Sequence, residues 1–169
     1  MADPVPIRQT VAAALRGFLG LITKAGGYDF DVGPTRVFRR DVIRPDWPVT
    51  PCIALLQMKE TPHEASFQGY DGSGGQRERS LTLRVAFMDE YSGDDPDDHA
   101  GLFIANIQRA VPLQTNISIE VSGATHDYPI TLNEVESELN VGPAMDGRVY
   151  GWVDFRADYR TMTKDPRRL

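Results

Sequence analysis

Five residues that can bind metal ions lie within a span of six in the middle of the chain. They are Asp94, Asp95, Asp97, Asp98 and His99. Because carboxylates and imidazole coordinate divalent cations, the cluster fits a small metal-dependent hydrolase that would use Asp94, Asp95, Asp98 and His99. The same stretch also fits the start of a helix, with Asp95 as the N-cap, Pro96 in the first turn and the remaining acids near the positive end of the helix dipole. The calcium-loop pattern of spaced aspartates and a glycine is missing, so a helix start is the favoured interpretation and no metal site is expected.

The motifs of the commonest enzyme classes are missing from the sequence. The chain has three histidines, no Gly-x-Ser-x-Gly nucleophile turn and no His-Glu-x-x-His zinc motif. Its glycine-rich stretch lacks the Gly-Lys-Ser/Thr of a phosphate-binding loop. We therefore expect a protein that is not an enzyme and needs no cofactor.

Charge and composition exclude several other classes. The 169 residues fit one domain, and the net charge of −6 argues against a general nucleic-acid binder. The single cysteine, Cys52, excludes a disulfide within the chain. We expect no signal peptide, because the first residues show no basic region followed by an apolar run. We expect no membrane span, because the apolar runs are far shorter than about 18 residues. These features predict a soluble protein made in a reducing cytoplasm.

One basic cluster stands out in an acidic chain, at Arg36, Arg39, Arg40 and Arg44. Solvated charges that pair with the many acids are the simpler explanation. The alternative is a contact surface for an acidic partner or for phosphate. No aromatic side chains are interleaved to stack on bases, so single-stranded nucleic acid is not favoured.

Two strongly alternating segments predict the centre of a sheet. Between Arg148 and Thr161 apolar residues occupy one parity, while Tyr150, Trp152 and several charged residues occupy the other. The segment Arg79–Met88 alternates in the same way. A period of two indicates half-buried antiparallel strands. Because two large aromatic side chains on a solvated face would be unexpected, we expect a helix, a loop or a neighbouring subunit to cover Tyr150 and Trp152.

Helical periodicity predicts two amphipathic helices. Apolar residues from Ile7 to Ile22 form one stripe, and Gly26-Gly27 is expected to stop that helix. The second helix is expected to run from Asp95 to about Val111. Together with the strands, the two helices predict a single α+β domain over residues 1–169, with both helices packed on one face of a mainly antiparallel sheet.

Shorter strands are expected at Tyr28–Val32, Cys52–Lys59 and Ile117–Val121, and Tyr128-Pro129 is expected to be a turn. Residues 131–139 leave two readings open. Thr131 with Glu134 makes a helical capping box, whereas a strand would form a hairpin with the closing segment and is preferred. In that strand three carboxylates share one parity and are expected to point one way: Glu134, Glu136 and Glu138.

Residues 60–78 are polar and glycine-rich, and predict a long projecting loop. A short flexible tail is expected at about residues 162–169. Several residues are candidates for contacts with neighbouring subunits or partners: Arg36, Arg39, Arg40, Phe67, Tyr70, Arg77, Tyr150 and Trp152. A further set is the candidate acidic lumen or rim of an assembly: Glu134, Glu136 and Glu138.

The order of these segments resembles a known family. The sequence passes through Gly26–Tyr28, Pro51–Ile53, a long polar loop, Arg79–Val85, a second helix and Phe155–Thr161, and then reaches Asp165-Pro166. This order resembles the tail terminator proteins of long-tailed bacteriophages, also called tail completion or neck proteins. The similarity extends over nearly the whole chain, and Tyr159-Arg160-Thr161 is its most characteristic part. The glycine-rich loop and the basic end of the chain have no counterpart in the pattern.

The resemblance implies a structural virion protein without catalytic residues. Such a protein forms a homo-oligomeric ring, usually of six copies, that caps the tail tube and joins it to the head-completion or connector protein. DNA passes through the lumen without specific binding, which suits an acidic chain. The implied location is the tail or neck of the virion, after assembly in the host cytoplasm. Another neck or tail-tube subunit is the nearest alternative.

Overall fold

The computed structural model describes residues 6–39, 49–67, 76–121, 124–140 and 147–162. Two α-helices and six strands follow one another along the chain: α1 (Ile7–Leu19), β1 (Val37–Arg39), β2 (Cys52–Phe67), β3 (Gln76–Glu90), α2 (Pro96–Ala110), β4 (Gln114–Val121), β5 (Ala124–Asn140) and β6 (Arg148–Met162). Short 3-10 turns at Lys24–Gly26 and Pro34–Arg36 lie between α1 and β1. The fold is a single α+β domain, as predicted.

All six strands form one curled sheet in the order β1-β2-β3-β6-β5-β4. The two segments with the strongest alternation, β3 and β6, are the central pair, and they are in antiparallel register from Gln76–Met162 to Glu90–Arg148. Only β1 and β2 are parallel. The prediction of a mainly antiparallel sheet centred on these two segments is confirmed.

Both helices pack on the same face of the sheet. The apolar parity of β6, from Val149 to Tyr159, lies in one buried cluster with the inward residues of α1 and α2. Within that cluster the ring of Phe87 from β3 stacks on Phe103 from α2, with 4.4 Å between the ring centres. Burial of this apolar surface is the main stabilising term for the fold.

The aspartate cluster begins α2 as predicted. Asp95 is the N-cap, and its carboxylate accepts a hydrogen bond from the backbone N–H of Asp98 at 3.1 Å. Pro96 occupies the first helical turn, where its missing N–H costs no helical hydrogen bond. An N-cap of this kind stabilises a helix by about 1 kcal/mol.

Two predictions near the start of the chain are wrong: where the first helix ends, and that a strand follows it. The first helix ends at Leu19 with Gly20 as its C-cap, and Gly27 instead caps the following 3-10 turn in the left-handed region, at φ 81°. Tyr28–Val32 is not a strand. The backbone N–H of Val32 donates to the Ile22 carbonyl, so this segment folds back on the residues that follow α1. The glycines in this part of the sequence indicated that the helix ends, but they did not show which of them forms its C-cap.

The strands extend into the stretch that was expected to be a loop. β2 continues to Phe67 and β3 begins at Gln76, with Thr61 opposite Ser80 and Phe67 opposite Gln76. Polar residues can form a strand where the neighbouring strand satisfies their backbone groups. A hydropathy pattern does not report these backbone hydrogen bonds. The remainder of the expected loop, residues 68–75, and the end of the chain from residue 163 lie outside the described residues.

The strand reading of residues 131–139 is confirmed, and it is part of a longer strand than expected. β5 includes Tyr128 and Pro129, so the predicted turn at that dipeptide is wrong. Pro129 lies opposite Asn116 of β4, and pairing of β5 with β6 begins only at Thr131. Proline is tolerated there because its missing N–H removes no ladder bond to β6.

Candidate assembly surfaces

The face of the sheet opposite the two helices, called the second face below, carries a compact polar and aromatic cluster. Arg84 of β3 donates from Nε and Nη2 to the two carboxylate oxygens of Asp154, at 2.8 and 2.9 Å. The Arg84 guanidinium also lies over the Trp152 ring, 3.7 Å from its centre. The hydrogen bond to Asp154 raises the pKa of the Arg84 guanidinium, and the charges of Glu136 and Glu138 act in the same direction. This cluster combines a bidentate ion pair with a cation–π contact.

The two aromatic residues of the second face are both partly buried, but neither helix covers them. Arg84 shields one face of Trp152, and Tyr150 packs on a small apolar cluster that includes Cys52 and Met88. Burial is the main cause that raises the pKa of the Cys52 thiol to about 12. Within the described residues, neighbouring strands therefore cover these two side chains in part, and their predicted contact with a neighbouring subunit stays a prediction.

The three carboxylates of β5 do not share a face, so their predicted common direction is wrong. Glu134 lies opposite Phe155 on the helix side of the sheet and accepts a hydrogen bond from Gln108 of α2 at 2.9 Å. Glu136 and Glu138 lie opposite Asp154 and Trp152 on the second face. The register shift between Glu134 and Glu136 inserts one residue as a β-bulge. A bulge reverses the parity of all later residues, and spacing alone does not reveal it.

The basic cluster is divided between a structural role and an exposed one. Arg36 donates from Nη1 to the carbonyl oxygens of Asp31 and Thr50, at 3.2 and 3.0 Å, and so holds together the segments on either side of β1. Arg39 is exposed at the end of β1. Arg40 and Arg44 lie outside the described residues.

The remaining interface candidates lie in or near the extended β2–β3 hairpin. Phe67 ends β2, and Arg77 lies in β3 between Ser66 and Thr161 of the neighbouring strands. Their side chains and the whole of Tyr70 lie outside the described residues. Their predicted contacts with partners stay predictions.

Two residues of the metal-binding hypothesis have other partners. Asp95 caps α2, and His99 forms a hydrogen bond through Nε2 with Asp89 Oδ2 at 2.8 Å. Asp89 is buried, and burial raises its pKa although the His99 contact acts in the opposite direction. Across the parts of the chain that the structure describes, no group of three or more His, Cys, Asp or Glu side chains is placed to hold a metal ion.

One polar network was missed by the sequence reasoning. Glu60 Oε1 accepts hydrogen bonds from Arg79 at 2.8 Å and from the Tyr159 hydroxyl at 2.9 Å, while Arg8 of α1 lies 3.9 Å from its other oxygen. Burial and the Glu60 hydrogen bond raise the pKa of Tyr159. Glu60 begins the predicted loop and Arg79 begins the predicted strand after it, so no pattern in the sequence indicates that three strands bring Glu60, Arg79 and Tyr159 together.

Comparisons with known proteins leave the family open. No protein-family model matches the sequence, and no curated protein sequence matches it either. A solved structure described as the virion of a native gene transfer agent particle is similar over 90% of this chain and 90% of that chain, with 13% sequence identity and a TM-score of 0.39. In the described residues, neither helix is long and apolar enough to cross a membrane.

Proposed function

We propose that this chain is a structural protein of a phage-like virion, and that a ring of about six copies caps the tail tube and joins it to the head connector. The observation that carries the proposal is the position of the resembling segments at the centre of the fold. The segments on which the tail-terminator resemblance largely rests, Arg79–Val85 and Phe155–Thr161, lie in the adjacent central strands β3 and β6. The resemblance therefore refers to the framework of the domain and not to scattered surface residues.

The contacts of the polar side chains support a structural role. Asp95 and His99 are the strongest candidates for metal binding in the sequence. Asp95 instead caps α2, and His99 forms a hydrogen bond with Asp89. The bidentate Arg84–Asp154 pair and the Glu60 network likewise join neighbouring strands. Each of these contacts stabilises the fold in a way that needs no ligand.

Charge supports passage of DNA through such a ring. The chain carries 24 acidic and 18 basic residues. A lumen of the same sign as DNA repels the phosphates and lets the duplex slide instead of binding it. Glu136 and Glu138, exposed on the second face, are the proposed acidic lumen or rim, whereas Glu134 faces the helix layer and is no longer part of that set.

The proposed contact residues fall into three groups. Arg39 is exposed at the end of β1 and is proposed to meet an acidic neighbour, together with Arg40. Arg36 acts indirectly, because it braces the backbone around β1. The aromatic and basic residues of the hairpin and the second face are proposed to meet the tube, the connector or the next copy: Phe67, Tyr70, Arg77, Tyr150 and Trp152.

Electron microscopy of particles made with and without this gene tests the proposal. We expect particles without the protein to have unsealed tails of irregular length that do not join heads, and complementation with the full chain to restore them. Tails of normal length that are sealed and joined to heads in its absence would defeat the proposal. Loss of the tube itself would instead assign the chain to the tail-tube subunits.

A further inference from the structure

We infer that neighbouring copies of this chain pair along their strand edges, with the free edge of β5 against the free edge of β2 of the next copy, so that one sheet continues into the next. This inference rests on the proposed ring and names the surface that would build it. The occupant of each edge is a second copy of the same chain.

The first free edge belongs to β5. On one side β5 pairs with β4 over Ala124–Thr131, and on the other it pairs with β6 over Thr131–Asn140. The Leu132 N–H donates to the Leu113 carbonyl just before β4, and beyond Leu132 no strand among the described residues pairs with this side of β5. Two large apolar side chains of this segment are exposed, Val135 to 57% and Leu139 to 41%. Exposed apolar groups on an unpaired edge are typical of a surface that another strand covers.

The second free edge belongs to β2. The short strand β1 pairs only with Ile53–Leu55. From Leu56 to Phe67, β2 has β3 on one side and no strand among the described residues on the other. Met58 lies in this stretch, and 50% of its surface is exposed. The two edges are at opposite sides of the β2-β3-β6-β5 part of the sheet.

Strand direction makes the two edges compatible. Three successive antiparallel pairings separate β2 from β5, so the two strands run in opposite directions. Copies that repeat around a ring in the same orientation therefore bring β5 and the next β2 together antiparallel. The contact is head-to-tail, which is the kind that closes into a ring when the rotation between copies allows it.

Charge also favours this pairing. The segment Asn133–Asn140 contains three glutamates and no lysine or arginine. On the β2 edge Lys59 is exposed, and it lies opposite Thr82, which places it on the second face together with Glu136 and Glu138. Edge pairing therefore sets opposite charges on the same face of the continued sheet, where cross-strand ion pairs are favourable.

Both edges are interrupted: β5 has one register shift, at Val135, and β2 has two, at Met58 and between Pro62 and Ser66. A bulge interrupts the regular ladder and discourages pairing with an arbitrary strand. An edge of about eight residues with such an interruption associates weakly by itself. Isolated copies therefore stay apart, and pairing becomes strong only where a ring of contacts forms at once on a template.

Engineered cysteines test the pairing in assembled particles. Glu136→Cys or Glu138→Cys is combined with Lys59→Cys or Thr61→Cys, because all four positions lie on the second face. The native Cys52 is fully buried and does not interfere. A disulfide needs Cα atoms closer than about 7 Å, so oxidation links only strands in register. The matched control combines Glu138→Cys with Lys24→Cys, which lies exposed on the 3-10 turn after α1.

We expect at least one of the four combinations to give a disulfide ladder from dimer up to the full ring, with no ladder in the control. Particles that retain ring density by microscopy without a ladder in any combination would overturn edge pairing and leave the proposed function intact. If the natural chain is folded but the particles show neither a ring nor a disulfide ladder, both proposals fail. An equal ladder in the control overturns edge pairing, since the links would then be nonspecific.

A charge swap gives an independent readout. Lys59→Glu and Glu138→Lys should each weaken association by about two- to fivefold per contact, as expected for an exposed ion pair. The double variant should recover most of the loss. Two single variants that assemble normally, or a double variant worse than either, would contradict the pairing of these edges.

Discussion

The Arg84 guanidinium lies 3.7 Å from the centre of the Trp152 ring while two of its nitrogens donate to the Asp154 carboxylate. Arg84 and Asp154 are directly opposite each other on the central strands, and Trp152 is two residues before Asp154 on the same face. One side chain therefore neutralises a buried carboxylate and covers an aromatic ring. This contact joins the two central strands on the face where neither helix packs.

Removing the guanidinium should destabilise the fold. We expect Arg84→Ala to lower the free energy of unfolding by about 2 kcal/mol or more, because Asp154 is left buried without its partner. The matched control is Arg160→Ala, which removes an exposed pair with Glu78 and should cost less than about 0.5 kcal/mol. Denaturant unfolding of both variants measures the difference. Equal losses would show that the Arg84 pair has no special weight.

Trp152 should contribute through its ring. Trp152→Ala is expected to lower stability or assembly by about 2 kcal/mol, because the aromatic surface under Arg84 is lost. Trp152→Phe keeps a ring for the guanidinium to cover and should recover a large part of that loss. A change below about 0.5 kcal/mol in both stability and assembly for the alanine variant would mean that the ring is open to water.

Gly151 is required by a close approach to the core. A Cβ atom there would lie 2.5 Å from the Phe87 ring and 2.9 Å from the Glu138 carbonyl oxygen. Gly151→Ala should therefore destabilise the protein by about 1–3 kcal/mol through overpacking. Gly101→Ala in α2 is the control, since nothing lies within 4 Å of its added Cβ and helix propensity favours alanine. The midpoint temperature of thermal unfolding should fall for Gly151→Ala and rise for Gly101→Ala.

Cys52 should be unreactive in the folded chain. Burial raises the pKa of its thiol to about 12, so the thiolate that reacts with alkylating agents is scarce at pH 8. We expect iodoacetamide to modify Cys52 only after denaturation, as followed by mass spectrometry. Rapid modification of the native protein at pH 8 would contradict this burial.

Asp89 should make stability depend on pH. Burial raises the pKa of Asp89 in the folded state, so the unfolded chain loses this proton first as pH rises from an ordinary aspartate pKa of about 3.9. The contribution of Asp89 to stability is therefore complete below that pH and is lost as pH rises through the higher folded pKa. Asp89→Asn removes this contribution while keeping a polar group of the same shape.

Denaturant unfolding at a series of pH values tests the effect. The stability of the natural chain minus that of Asp89→Asn should fall with rising pH and then level off. A difference that stays flat, or rises, would show that the folded state does not raise the pKa of this carboxyl.

The sequence by itself determined the class of fold and its centre. Sustained alternation in β3 and β6 could be recognised because each strand has one face on a continuous apolar core, and that constraint is local to the strand. The start of α2 was equally readable, since Asp95 and Pro96 act on backbone groups within their own first turn. The preference for a strand at residues 131–139 followed from the hairpin that it would form with the closing segment.

Only the tertiary structure decided where each polar side chain of the candidate surfaces lies. The bulge at Val135 placed Glu136 and Glu138 on the second face, whereas Glu134 lies on the helix side beside Gln108. The extension of β2 and β3 into a polar stretch brought Glu60 to Arg79 and Tyr159. Both outcomes depend on pairing between strands that are distant in sequence, whose backbone hydrogen bonds and register leave no local pattern in the residues themselves.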